Sequence, residues 1–303
     1  MVKFYSIVDS RVTEGVAEKD KIIVYINPDD KERQYLIDQY QIDEHTLLSA
    51  LDPDELSRIE IESNHVAIIL KSPVNYMAEH AFEFLVSSMG MFLFEDTLII
   101  VMAEDLPIFD SKTFSRVSRL AETMLKIVNY SIFRFLEHLR VIDMVSDELG
   151  EKISTSIENT YLLNLFALEK SLVYFQNAIN SNSVLIEKMK IYTQRIGFTR
   201  EDTELLDDIT IENTQCYKQA EIYSNILASM MDAQVSIVNN NLNILMKKLT
   251  FITIAIMVPT FVVSAFSMNV PFPIQHHPFA FWIILVIAFA AMGGFFFFWR
   301  LRK

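Results

Sequence analysis

The sequence predicts an α+β membrane protein with an N-terminal α/β domain, a long helical stalk and two C-terminal transmembrane helices. Three observations predict this class. Phe279 to Trp299 is a run of 21 residues without a charge, which as a helix of about 31 Å matches the hydrocarbon core of a bilayer. Proline is absent from residue 110 to residue 258, as expected for long helices. The first 109 residues carry short apolar runs separated by turn residues, which is typical of strands.

Residues 1–109 are predicted to form a cytoplasmic α/β domain with a small sheet. Helical segments are expected around residues 31–40 and 45–50, between the first two strands. Gly90 and the Glu95-Asp96 pair divide the later apolar runs, which indicates a meander. The predicted strands are Lys21–Ile26, His65–Lys71, Phe82–Ser88, Met91–Phe94 and Thr97–Met102.

Residues 110–198 are predicted to form a cytoplasmic helical hairpin region, with breaks at Gly150 and near residues 181–183. A stalk helix is expected to open at Thr199, whose hydroxyl can cap a first turn containing Glu201 and Asp202. The stalk continues into the first transmembrane helix, so that residues 199–268 form one helix of about 100 Å. A helix of that length needs support from other helices or other subunits.

The distribution of charge predicts the topology. Leu249 to Met268 is a first uncharged span, residues 269–278 form an outer loop, residues 279–299 form the second span, and residues 300–303 form a basic tail. Lys247 and Lys248 precede the first span, basic residues follow the second, and the loop has neither Lys nor Arg. The positive-inside rule then predicts a multi-pass protein of the cell membrane, the inner membrane in a bacterium, with both termini cytoplasmic.

The stalk and the first span share two stripes at the 3.5-residue period of supercoiled helices. One stripe is polar at eleven of thirteen positions. The other stripe, formed by the residues that follow each of these by one position, is apolar at eleven of thirteen. Hydroxyl groups inside a membrane need a neighbouring helix or water, so the polar stripe indicates either contact between helices or an aqueous lumen. Its members are Asn225, Ser229, Asp232, Ser236, Asn239, Asn243, Met246, Thr250, Thr253, Met257, Thr260, Ser264 and Ser267.

Composition excludes several classes of function. Residues 1–246 carry 21 basic and 39 acidic side chains, which argues against nucleic acid as a partner and favours divalent cations. No phosphate-binding glycine motif, dinucleotide fingerprint or His/Cys metal spacing occurs before the membrane segment. The chain is therefore expected not to be an enzyme and to need no cofactor. The single Cys216 excludes an internal disulfide.

Several motifs resemble the CorA family of magnesium channels. Phe266-Ser267-Met268-Asn269 is similar to the family's Tyr-Gly-Met-Asn, and residues 243–250 (NILMKKLT) look like the family's segment entering the membrane, at the family's spacing. Residues 50–53 (ALDP) and 57–60 (SRIE) resemble its N-terminal domain. The resemblance covers the whole chain.

This resemblance implies a homopentameric funnel that passes hydrated Mg²⁺ along a central axis. Ser267, Met268 and Asn269 would form the selectivity filter, in which the Asn269 amides hold the metal ion through its water shell. Asp232 matches a stalk acid that helps to bind regulatory Mg²⁺, with Glu104 and Asp105 as candidate partners. The pore-lining positions, taken from the resemblance and from the stripe together, are Asn243, Met246, Leu249, Thr250, Thr253, Met257, Thr260 and Ser264.

Two further functions stay open at the level of sequence. Phe266 and Ser267 stand where the family has Tyr and Gly, the outer loop has no acidic residue, and His276-His277 lies in that loop. These features are compatible with a transporter of zinc or another transition metal such as Co²⁺ or Ni²⁺, with or without proton coupling. The third candidate is a membrane scaffold that does not conduct ions.

Overall fold

The structure, a computed structural model, describes residues 1–15, 21–74, 82–110, 114, 116–155, 159–269, 274 and 276–301. It consists of two compact units, residues 1–234 and 235–303. One helix belongs to both units, because the stalk and the first apolar span are continuous. Much of the predicted outer loop and the last two residues of the basic tail lie outside the described residues.

The first unit is built on a seven-stranded sheet in the order β2-β1-β3-β7-β6-β5-β4. The β3 and β7 strands are parallel, and the other neighbours are antiparallel. Central strands β3, β5 and β7 are buried along their whole length, which is why they read as continuous apolar runs. The strands are β1 (Val2–Val8), β2 (Arg11–Glu14), β3 (Ile22–Ile26), β4 (Arg58–Ile61), β5 (Val66–Pro73), β6 (Val86–Leu93) and β7 (Leu98–Met102).

The two faces of the sheet carry separate cores. Ile23, Ile99 and Val101 pack on one face with Leu36 and Leu47, which come from the short helices α1 (Asp30–Tyr40) and α2 (Glu44–Ser49). Alternate residues of the same strands point to the other face, as strand geometry requires. That face is covered by the long helices α3 (Leu120–Thr155) and α4 (Asn159–Ile191). The helix α6 (Arg200–Phe266) contributes residues of its first-unit part to the same core.

Two glycines that were predicted to break elements lie inside them. β6 passes straight through Gly90, where an added Cβ would lie 2.5 Å from the Cβ of Ala50. α3 continues through Gly150 to Thr155, and there an added Cβ would lie 2.9 Å from Sδ of Met230 on α6. Both glycines therefore allow close packing between elements. The predicted break near residues 181–183 is also wrong, since α4 continues to Ile191 and is followed by the short α5 (Thr193–Ile196).

The edge strands β2 and β4 and the strand β1, which lies between β2 and β3, were not predicted from the sequence. β1 is half-buried along most of its length and is stabilised by its pairing with β3, in which Val2 faces Tyr25 and Tyr5 faces Ile22. A half-buried strand of this kind lacks the uninterrupted apolar run that reveals a fully buried strand.

Neutral amide side chains join α6 to the α3–α4 hairpin within the first unit. Asn213 donates to the Ile179 carbonyl (3.2 Å) and to the Ser183 hydroxyl (2.7 Å). Further along α6, Gln176 donates to the Ala220 carbonyl (3.2 Å), and Gln234 donates to the Gly150 carbonyl (3.3 Å). These bonds fix the register of α6 up to the last turn of the first unit.

The second unit contains the C-terminal part of α6 and the helix α7 (Ala280–Leu301). Both helices are long and apolar enough to cross a membrane, with mean hydropathies of 2.2 and 2.4 over their most apolar windows. The window on α6 is not buried by the rest of the chain, and the window on α7 is 6% buried. These two apolar surfaces are therefore available to lipid or to other subunits.

Candidate functional site

The stalk helix begins as the sequence predicts, with a cap built around Thr199. The Thr199 hydroxyl accepts from the Asp202 amide (3.3 Å), and the Asp202 carboxylate accepts from the Thr199 amide (2.7 Å), which is a reciprocal cap. Arg119, just before α3, also donates to Asp202. Burial raises the pKa of the Asp202 carboxyl, but the Arg119 and Thr199 donors outweigh this effect and hold that pKa below its usual range.

All thirteen positions of the polar stripe are exposed in the single chain. This includes the part of the stripe within the apolar segment, from Thr250 to Ser267. Exposure of hydroxyl groups in a segment that crosses a membrane requires water or another copy of the chain beside them. The stripe is therefore a surface that the protomer leaves exposed.

The second span does not cover this stripe. Among the described residues of the second unit, α7 is the only helix that can cover α6, and the half-buried positions of α6 include Ala255, Pro259, Val262 and Phe266. Ile254 and Val258 are half-buried as well. These positions follow a stripe residue by one or two residues, which is about 100° to 200° around a helix with 3.6 residues per turn. The stripe consequently lies on the side of α6 that faces away from α7, so contact between the two spans of one chain does not explain it.

Three hydroxyl groups on the stripe repeat at intervals of seven residues. Thr253, Thr260 and Ser267 donate to the carbonyls of Leu249, Ile256 and Val263, at 2.9, 2.7 and 2.8 Å. A hydroxyl has one hydrogen and two lone pairs, so each of these groups uses its hydrogen within the helix. What each presents outward is an oxygen that can only accept hydrogen bonds.

Apolar side chains alternate with these hydroxyls along the predicted pore positions. Met246, Leu249 and Met257 are 60%, 59% and 62% exposed, although they are large and apolar. Asn243, Thr250 and Ser264 are also exposed. The same surface therefore carries both polar positions and bulky apolar ones along α6.

The predicted filter residues lie at and just after the end of α6. The helix ends at Phe266, and Ser267, Met268 and Asn269 follow as an exposed turn. Among the described residues other than glycine, positive φ occurs only at Asp9, Ser10, Asn27, Gln41 and Phe82. The backbone at Ser267 consequently adopts a conformation open to any L-residue, and a serine fits there without strain.

The candidate regulatory acids come from different parts of the first unit, since Glu104 and Asp105 follow β7 and Asp232 lies on α6. Asp232 is exposed on α6, whereas Asp105 forms an ion pair with Lys3 at 2.6 Å. The hydrogen bond to Asp105 raises the pKa of Lys3. Within the described part of the chain there is no group of three or more His, Cys, Asp or Glu side chains that could hold a metal ion.

His277 has a structural role that its sequence position did not reveal. Its Nδ1 accepts from the Phe279 amide (3.2 Å), and its carbonyl accepts from the Ala280 amide (2.9 Å). It therefore caps the N-terminus of α7. His276 beside it is exposed.

Together, these features define the class of protein. It combines an α/β unit with a long helix that carries an exposed polar stripe into an apolar segment, followed by a second apolar helix. The sequence profile of the family described as CorA-like Mg²⁺ transporter protein matches residues 21–303. The chain therefore belongs to the CorA-like Mg²⁺ transporter family.

Known proteins resemble the chain over nearly its whole length. The cobalt/magnesium transport protein CorA of Methanocaldococcus jannaschii is 24% identical over 300 residues, which cover 93% of this chain and 91% of that protein. The complete structure of the CorA magnesium transporter from that organism matches with a TM-score of 0.78 at 23% identity, covering 99% of this chain and 96% of the other. The full-length CmaX protein matches with a TM-score of 0.71 at 15% identity, covering 99% and 97%.

Proposed function

We propose that this chain assembles into a homopentameric membrane channel that passes hydrated Mg²⁺ along its axis. The observation that carries this proposal is the polar stripe on α6, which is exposed along its whole length and faces away from α7. In a ring of copies whose α6 helices surround a common axis, this stripe lines a water-filled lumen. The apolar faces of α6 and α7 then meet lipid or each other.

The chemistry of the stripe suits a hydrated cation. Mg²⁺ loses its water reluctantly, and the waters around a cation point their hydrogens outward. Thr253, Thr260 and Ser267 present acceptor oxygens, because their own hydrogens are bound to helix carbonyls. Rings of these oxygens would hold the outer hydrogens of the water shell without removing the shell. The Asn269 amides at the outer end would select the ion in the same way.

The apolar positions supply the gate in this proposal. Rings of Met246, Leu249 and Met257 would form hydrophobic constrictions, which close by losing water. Asp232 lies on the stripe in the first unit, where five carboxylates around an axis repel one another unless cations bind between them. Mg²⁺ bound there would favour a closed arrangement, and its loss would favour an open one. Both termini are proposed to be cytoplasmic, following the basic residues that flank the spans.

A transporter of Zn²⁺, Co²⁺ or Ni²⁺ is the second candidate, favoured by His276 and by the absence of an acidic residue from the outer loop. Ion flux into liposomes that contain the purified full-length protein distinguishes this candidate from the Mg²⁺ channel. Uptake of Mg²⁺, Co²⁺, Ni²⁺ and Zn²⁺ should be measured with a membrane potential, with and without a pH gradient. The main proposal expects Mg²⁺ uptake that follows the potential and is independent of the pH gradient.

Two other outcomes contradict the proposal. Zn²⁺ uptake that requires the pH gradient, without Mg²⁺ uptake, would favour the second candidate. No uptake of any of the four ions by a correctly assembled protein would favour a scaffold.

A further inference from the structure

An aromatic contact brings the beginning of the first span and the end of the second together. The rings of Phe251 on α6 and Phe296 on α7 lie 4.5 Å apart, and Phe251 also meets Trp299 edge-on at 6.0 Å. Both contacts lie within the second unit. They place these two helix ends side by side.

Helix geometry places three basic residues on the same side of this contact. Lys247 and Lys248 precede Phe251 by four and three residues, and Arg300 follows Phe296 by four. Residues three or four apart lie on one face of a helix. α6 and α7 run in opposite directions here, because a short connection joins them and Phe251 pairs with the far end of α7. The three basic residues therefore extend beyond the ring pair in the same direction.

Residues 247–303 contain no acidic side chain that could neutralise these three basic residues. The same segment contains five Lys or Arg. Lys247, Lys248 and Arg300 are all exposed. Like charges on adjacent helices repel. Three basic side chains at the same end of α6 and α7 therefore favour the binding of an anion between them.

We propose that this basic-aromatic cluster (Lys247, Lys248, Phe251, Phe296, Trp299 and Arg300) binds the headgroup of an anionic phospholipid. The phosphate would meet the two lysines and the arginine, which suit it as donors. Tryptophan side chains such as Trp299 are enriched at the membrane interface. The exposed side chains of Phe297 and Phe298 offer an apolar surface to acyl chains. A lipid held there bridges α6 and α7. This inference requires that the two helices cross a membrane, and it does not depend on ion conduction.

The two tryptophans of the chain allow a direct test. Trp282 lies near the start of α7 and Trp299 near its end. In a Trp282→Phe variant, the tryptophan fluorescence therefore comes only from Trp299 in the cluster. In a Trp299→Phe variant, it comes only from Trp282 at the opposite end of the same helix. Both full-length proteins should be placed in phosphatidylcholine vesicles that contain a minor fraction of lipid with brominated acyl chains, which quench nearby tryptophan fluorescence.

Brominated phosphatidylglycerol should quench Trp299 several-fold more than brominated phosphatidylcholine at the same fraction. The reason is that each basic residue near the membrane surface favours an anionic lipid over a neutral one roughly fivefold. Trp282 should not distinguish the two lipids. Replacing the basic residues (Lys247→Gln, Lys248→Gln, Arg300→Gln) should abolish the preference. The charge-conserving set (Lys247→Arg, Lys248→Arg, Arg300→Lys) should keep it, as should a matched removal of three exposed lysines from the first unit (Lys31→Gln, Lys188→Gln, Lys218→Gln).

Three results would overturn the inference. One is equal quenching of Trp299 by the two brominated lipids. Another is a preference that survives the three glutamine substitutions. The third is loss of the preference on adding millimolar inorganic phosphate, which would show that the cluster binds free phosphate and not a lipid headgroup.

Discussion

Replacing Thr260 by valine tests whether the polar stripe conducts ions. Valine keeps the β-branched shape of threonine and removes only the hydroxyl, which donates to the Ile256 carbonyl at 2.7 Å. The side chain is exposed in the protomer. The substitution should therefore leave folding and assembly intact and remove one ring of acceptor oxygens from the proposed lumen.

The expected effect follows from the hydrogen bonds that a passing hydrated ion loses. Each bond contributes about 1 kcal/mol net, and an ion that meets two of the five oxygens at a time loses about 2 kcal/mol. Since about 1.4 kcal/mol corresponds to a tenfold change in rate, Mg²⁺ flux should fall about 30-fold. The added methyl group makes the ring less wettable, which acts in the same direction.

Flux should be measured with a fluorescent Mg²⁺ indicator inside liposomes, at equal protein content. Thr214→Val is the matched control, because Thr214 is also exposed on α6 and makes the same type of bond, to the Thr210 carbonyl at 2.8 Å. It lies in the first unit and away from the stripe, so its flux should equal that of the unmodified protein. Unchanged flux in Thr260→Val would refute the reasoning, as would an equal loss in both variants.

Three further substitutions test other parts of the proposal. Asn269→Ala should bring the uptake rates of Mg²⁺, Co²⁺, Ni²⁺ and Zn²⁺ close to one another while light scattering shows an unchanged oligomer; a preserved ion preference would place the filter elsewhere. Asp232→Asn should keep the channel active at high internal Mg²⁺, unlike Glu212→Gln on another face of α6, and identical inhibition curves for the two variants would remove Asp232 from regulation. Asp202→Asn should lower the free energy of unfolding at pH 7 by about 2 kcal/mol, because the buried carboxylate accepts bonds from Thr199 and Arg119. Since the pKa of Asp202 is lowered in the folded protein, this contribution is present above the unfolded pKa of about 3.9 and is lost as the pH falls through the folded pKa. Thermal unfolding between pH 7 and pH 3 checks this, and a difference between the two proteins that stays constant with pH would contradict it.

The sequence by itself determined the features that depend on neighbours along the chain. The two apolar spans follow from runs without charge, the start of α6 follows from the cap at Thr199, and the polar stripe follows from a period of 3.5 residues. The tetrapeptide ending at Asn269 indicated the family. All of these features are local patterns. Hydrogen bonding within a helix and the spacing of side chains along one helix face depend only on residues that are close in the sequence.

Only the tertiary structure decided features that depend on residues distant in sequence. Gly90 and Gly150 looked like breaks, but Ala50 and Met230 pack against them across the fold. The half-buried strand β1 is held by its partner β3, and no local pattern reports that pairing. The direction of the stripe away from α7, and the contact that brings Lys247 and Arg300 to one end of the two spans, follow from how α6 packs on α7. Helical periodicity defines a face, but packing alone decides what that face meets.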